Sequence, residues 1–249
     1  MKKTLSLENA KRDCNGLLID YSEIKALTGL HFTVNHTAKM SGLSSISTAC
    51  SVNPHCIARR EAEQKKLDAG LIKDNECVCL HCYAFNMLKR YKTMSNSLEN
   101  NAEVLTSRIL SDNEIPKLYS ITGYFRFEAF GDLINEIQVI NYFKIANANP
   151  DIKTALWTKN PQIIAKAIKK YNLTKPENLV IIGSSYNVNE PEIKKYQKYD
   201  FIDNIFTVYT KDYAKKNNIK ITCGGNSCAA CGKCYNNNHS EYNITELLK

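Results

Sequence analysis

The stretch KTALWTKNPQIIAKAIKKYNLTKPENLVIIGSS, residues 153–185, holds two apolar runs of strand length around one amphipathic helix. KTALWTK (153–159) and NLVIIGSS (178–185) are short, apolar and bounded by turn residues, as buried strands are. Between them Asn160 and Pro161 open a helix in which Ile163, Ile164, Ala167 and Ile168 recur at helical spacing. Strand, helix and strand with short connections predict parallel pairing through a right-handed crossover.

The pattern extends in both directions. Upstream, YFRFEAFG (124–131) is aromatic with period two, and LINEIQVINYFKIAN (133–147) carries Leu133, Ile134, Ile137, Ile140 and Ile145 on a helical stripe. Downstream, EPEIKKYQKY (190–199) reads as a surface helix, NIFTVYT (204–210) as a strand and IKITCG (219–224) as the last strand. These steps predict an α/β fold, a mainly parallel sheet curled as a partial (βα) barrel. A complete eight-unit barrel hardly fits 249 residues once the cysteine-rich segments are set aside. The expected organisation is a cysteine-containing helical segment over 1–115, a βα core over 116–222 and a cysteine-cluster segment over 223–249, integrated in one domain.

Composition sets the class. Hydrophobic residues are 43% and charged residues 23%, which excludes wholesale disorder. No run approaches the roughly 18 apolar residues of a membrane span. The opening MKKTLSLENAKRD lacks the apolar core of an export signal, so a cytoplasmic location without membrane partners is expected. Lys and Arg number 33 against 25 acidic residues, and 27 of the 33 are lysine, matched by 27 asparagines. Such a joint excess suits an AT-rich genome as well as a phosphate-binding surface.

The ten cysteines are grouped. TCGGNSCAACGKCY sets Cys223, Cys228, Cys231 and Cys234 at C-x4-C-x2-C-x2-C. Thiolates repel one another unless a cation gathers them, so this run reads as a metal site. Structural zinc favours two C-x2-C knuckles with a long spacer, whereas iron–sulfur sites use compact runs such as this one. His239, five residues on, lies within ligand reach but reads more simply as a surface side chain. A second group comprises Cys50, Cys56, Cys77, Cys79 and Cys82. Asn53 and Pro54 open a polar helix ended by Gly70, which brings Cys50 and Cys56 back to CVCLHC. Cys82 begins another helix, with Tyr83, Met87 and Tyr91 on one face, and a helix N-terminus favours the thiolate. The expected ligands are Cys50, Cys56, Cys79 and Cys82, with Cys77 spare, His55 and His81 as bystanders and Cys14 unliganded.

In parallel sheets chemistry lies beyond the carboxyl ends of strands. That rule selects Glu128, Asp132 and Lys159 as candidate catalytic groups, joined by Arg126 as the partner of Glu128, and Ser184, Asn187 and Tyr209 as cofactor-binding candidates. Polar residues also end strands as ordinary turns and caps, so each has a plain structural alternative. Arg126 and Glu128, two apart, are expected on one side of their strand.

Several short elements together resemble the phage gene product 88 family: Lys39-Met40, the Cys-Tyr-Ala of CLHCYA (79–84), the run from Arg126 to Gly131-Asp132, and Trp157-Thr158-Lys159. The chain also bears a distant resemblance to radical SAM partial-barrel proteins, which implies a cluster at a barrel mouth. It departs from their C-x3-C-x2-C, because Asn75 stands where the first cysteine would be. Four protein thiols on a cluster would leave no iron open for S-adenosylmethionine. The expectation is a phage-type protein of the bacterial host cytoplasm with two 4Fe-4S clusters, a redox or radical-SAM-like enzyme taking a small molecule. The alternative is a nucleic-acid or protein-binding factor with structural zinc. No G-x-S-x-G elbow, H-E-x-x-H helix, P-loop or Rossmann fingerprint supports hydrolase or nucleotide-fold readings.

Overall fold

The computed structural model describes residues 10–12, 18–20, 28–35, 38–224, 226–236 and 242–248. Cys14 and His239 lie outside them. Strands β1 (Ala10–Arg12) and β2 (Leu18–Asp20) form an antiparallel pair. The main sheet has seven strands in chain order: β3 (Thr33–Val34), β4 (Ser44–Ile46), β5 (Tyr124–Phe127), β6 (Lys153–Thr158), β7 (Leu179–Ser184), β8 (Asn204–Tyr209) and β9 (Asn243–Leu247). Among the described residues of this sheet, only β3 runs antiparallel to its neighbour. The edge strands β3 and β9 do not pair, so the sheet is α/β, mostly parallel and not closed.

Sequential order with crossovers of one hand sends the connecting helices to one face. α1 (Pro54–Asp68), α2 (Tyr83–Arg90) and α3 (Lys92–Ser107) lie between β4 and β5; α4 (Glu136–Asn147) follows β5, α5 (Pro161–Tyr171) follows β6, α6 (Ile193–Tyr196) follows β7 and α7 (Lys211–Lys216) follows β8. The core forms where Leu105 of α3, Val139 and Tyr142 of α4, Ile163 and Ile164 of α5 and Tyr196 of α6 meet Ile46, Phe125, Phe127, Leu156 and Ile181. Thr158 and Gly183 are paired, and Gly183 faces the Tyr196 ring so closely that a Cβ would stand 2.4 Å from it. Among the described residues, no helix is long and apolar enough to cross a membrane.

One reading of the sheet is corrected. IKITCG is not the last parallel strand; β9 takes that place, and the N–H groups of Thr222 and Cys223 donate to Thr245 O along its outer edge. On α2, Ala84 and Leu88 supply the buried side, while Tyr83 and Tyr91 are 54% and 45% exposed and the Tyr83 ring packs edge-on against Phe130.

Candidate functional site

The first thiol group forms where three segments meet beyond the carboxyl end of β4. Cys50, 2% exposed, follows β4 by way of Ser47, Thr48 and Ala49. Cys56 rides in the first turn of α1, whose N-cap Asn53 accepts from the N–H groups of His55 (2.9 Å) and Cys56 (3.3 Å). The Asn53 amide also donates to Asp132 O at 2.8 Å, fastening α1 to the loop after β5. Asn53→Ala loses the cap and this tie together, so unfolding should cost about 2 kcal/mol less, read by denaturant titration.

The CVCLHC segment is docked rather than loose. Val78 N–H donates to Tyr186 O (3.0 Å) and Val188 N–H to Glu76 O (2.9 Å), which lays Cys77 against Asn187 beyond β7. Cys82 is the N-cap of α2. The Cys50 thiol donates to Cys82, and with the N–H groups of Phe85 and Ala84 this pulls Cys82 down to about 6. The same contact, with burial, pushes Cys50 up. Cys77 is likewise pulled down to about 6 by Cys79 and by backbone N–H groups, while Cys79 rises. Burial, then the charge of Asp132, raises Cys56. Lys159 bears on Cys56, Cys79 and Cys82 in the opposite sense, favouring their thiolates.

The second group lies on the sheet face away from the helices. Cys228 and Cys234 pack with Leu43, Ala155 and Tyr235, beside Met40 and Trp157. Ser227 caps the single turn α8 (Cys228–Cys231), and Gly232, at φ 62, ends it in a left-handed conformation. A Cβ there would stand 2.8 Å from the Tyr124 hydroxyl, and Tyr124 stacks on Tyr235 at 4.6 Å. Burial pushes Cys234 up to about 12. Cys223 is held by its N–H to Thr245 O at 2.8 Å, while Lys39 Nζ donates to its sulfur at 2.8 Å and to Glu246 at 2.6 Å. Burial opposes the Lys39 charge, but these two partners outweigh it and raise the ammonium. Cys231 is exposed.

The candidate catalytic residues divide. Arg126 lies with the second thiol group, 3.9 Å over the Trp157 ring with Nη1 3.7 Å from Met40 Sδ. Glu128 does not share its side. It stands beyond the end of β5 at φ 57, and this left-handed step breaks the alternation. Its carboxylate accepts from Thr48 N–H (3.1 Å), the Thr48 hydroxyl (3.1 Å), Gln138 Nε2 (2.6 Å) and the Tyr142 hydroxyl, beneath the helices. Burial pushes Glu128 up to about 7, against the hydrogen bonds from Tyr142 and Thr48. Asp132 is buried too and accepts from the Thr158 hydroxyl (2.7 Å) and Lys159 N–H (2.9 Å). Both carboxylates therefore brace the loops that carry Cys50 and Lys159.

Lys159 Nζ donates to Ser184 Oγ at 2.6 Å, which brings one predicted catalytic and one predicted cofactor-binding residue together. Both adjoin Tyr186, whose ring lies 4.4 Å from the Arg59 guanidinium, 4.2 Å from Lys195 and 5.9 Å from Lys159. Asn187 instead donates to Glu190 at 2.7 Å in the open, and buried Tyr209 stacks with Tyr213. Arg59 carries no motif that marks it in the sequence, and Lys39 is marked by family resemblance alone.

Among the described residues no three His, Cys, Asp or Glu side chains are arranged to hold a metal ion, and the nine described cysteines are free. In the first group Cys50 meets Cys82 and Cys77 meets Cys79. The donor set still suits a thiolate-bound group in being all sulfur with cations adjoining each group; Cys82 is drawn toward the ionised form, whereas Cys50, Cys56, Cys79, Cys228 and Cys234 are pushed up by burial and neighbouring sulfurs. None of the curated proteins and none of the solved structures matches the chain. The family model described as Gene product 88 matches residues 9–241, and with nearly its whole length covered the chain belongs to the Gene product 88 family.

Proposed function

We propose that the chain is an iron–sulfur protein, one cluster held by Cys50, Cys56, Cys79 and Cys82 and a second by Cys223, Cys228, Cys231 and Cys234. A small anionic substrate enters at the carboxyl edge of the sheet, which the strand order suits to curl as a partial barrel. One observation carries this reading: cations without an ion-paired carboxylate adjoin the thiols. Lys159 has the Ser184 hydroxyl, and Arg126 has a ring and a thioether; among the described residues neither has an ion-paired acid. Asp132 bears on Lys159 from the loop after β5, and ionised sulfur is a further anion within reach of both half-buried cations.

When bound, such clusters supply one-electron transfer or a site for substrate coordination. The chain's own residues do the rest. After the Cys50 contact, the N–H groups of Phe85 and Ala84 favour the Cys82 thiolate. Lys39 steadies Cys223 against Glu246. Lys159 beside Tyr186 faces the anionic end of the substrate, flanked by Arg59 and Lys195, which are themselves ion-paired to Glu63 and Glu192.

Zinc at structural sites is the second reading, favoured by the close Cys50–Cys82 contact. Iron, acid-labile sulfide and zinc are measured on anaerobically prepared protein. The iron reading expects about eight irons per chain, falling by about half in Cys79→Ser/Cys82→Ser while far-UV dichroism is kept. About two zinc ions without iron would favour the second reading, and metal-free protein would end both.

A further inference from the structure

The positive surplus of this chain is confined to one region. Residues 153–220 contain 13 lysines against six acidic residues, a surplus of seven, while the whole chain is +8. All six arginines stand outside that stretch. A compositional drift toward lysine would raise the count throughout, and this excess is local.

The stretch is the run of βα units from β6 to α7, and its helices follow consecutive parallel strands on the helix-covered face. Lys166, Lys169 and Lys170 on α5 and Lys211, Lys215 and Lys216 on α7 are exposed. Among the described residues none of the six is ion-paired. The single acidic residue of α7 is Asp212, and α5 has none. The same two helices expose an aromatic ring each: Tyr171 at 38%, with Lys170 Nζ 4.8 Å from its centroid, and Tyr213 at 40%, stacked on Tyr209 by one face. Lysines without acidic partners, interleaved with aromatics, are the elements of a surface that tracks a phosphate backbone and stacks unpaired bases.

We propose that the face formed by α5, α6 and α7 binds single-stranded nucleic acid, its lysines against phosphates and its two tyrosines against bases. This surface is independent of the thiol groups and of what they bind.

The test is fluorescence anisotropy of a labelled oligothymidine of about 20 nucleotides, titrated with the full chain over a range of KCl. Log K should fall with log salt at a slope of about −3, as roughly four contacts at ~0.7 each require. Lys166→Gln/Lys169→Gln/Lys211→Gln/Lys215→Gln should weaken binding at least tenfold and flatten the slope. A control set, Lys65→Gln/Lys89→Gln/Lys92→Gln/Lys117→Gln, removes the same charge from exposed positions elsewhere and should change affinity less than threefold. Thermal melts of both variants check that they fold. Absence of saturable binding at low salt, or equal weakening by the two sets, overturns the proposal. So does capture by phosphatidylcholine–phosphatidylserine vesicles in place of the oligonucleotide, which would make the face a membrane-surface contact.

Discussion

Gly131→Ala should lower the melting temperature by about 10 °C. A Cβ at this position would stand 2.4 Å from the carbonyl oxygen of Thr48, 2.5 Å from Glu128 Oε2 and 2.7 Å from the Thr48 hydroxyl. The first of these is backbone, and the other two belong to a fully engaged hydrogen-bond cluster, so no flexible chain end can yield. Overpacking of this kind costs about 3 kcal/mol, and a domain of this length loses about 2–4 °C per kcal/mol. Gly224→Ala is the control, since its nearest neighbour would be 3.9 Å away. A Gly131→Ala protein that melts within 2 °C of the parent would show that the Thr48–Glu128 cradle is looser than its distances indicate.

Stability should fall as pH rises from about 4.5 to above 7. Burial raises the Glu128 carboxyl from an ordinary 4.5 to about 7, so between those values the folded chain binds a proton that the unfolded chain has released. Folding is therefore favoured on the acid side, and the advantage disappears as Glu128 ionises. The loss amounts to about 3 kcal/mol once the carboxyl is fully ionised. Asp132, raised by burial as well, acts in the same sense. Urea titrations at pH 5, 6 and 7.5 measure the trend, and carboxyl-carbon NMR reads Glu128 directly. Tyr142→Phe removes a hydrogen bond that holds the carboxyl down, so its midpoint should move higher still. Stability that climbs steadily over this window would contradict the buried carboxyl.

The βα repeat over 153–210 is legible because its apolar runs have strand length and its caps are explicit. β6, α5, β7 and β8 fall within a residue or two of their expected bounds. The edges are harder to read. β4 is built from Ser44, Ser45 and Ile46, all buried, and two serines give no apolar signal. β9 reads NITEL after an asparagine-rich stretch, while the more apolar IKITCG lies outside it and shields its edge. In α2 the four-residue spacing of Tyr83, Met87 and Tyr91 marks a face, but spacing alone does not say whether that face or the one with Ala84 and Leu88 is buried. The thiol grouping is visible in the spacing of the cysteines. The partnership of Lys39 with Cys223, 184 residues apart, is not, because no local pattern encodes contact across the whole chain. The left-handed turn at Glu128 is equally invisible, since glutamate rarely adopts it and here the hydrogen bonds from Thr48, Gln138 and Tyr142 hold it.

The serial strand order bears on synthesis at the ribosome. From β3 onward each strand docks on the one made just before it, so no segment of the main sheet must wait for a distant partner to emerge. Growth can proceed from the amino end as a zipper, with its exposed edge always the newest strand. The last thiols to be translated meet an already assembled surface bearing Arg126 and Trp157, and Lys39 closes the sequence of events by reaching Cys223 and Glu246 when the final strand arrives.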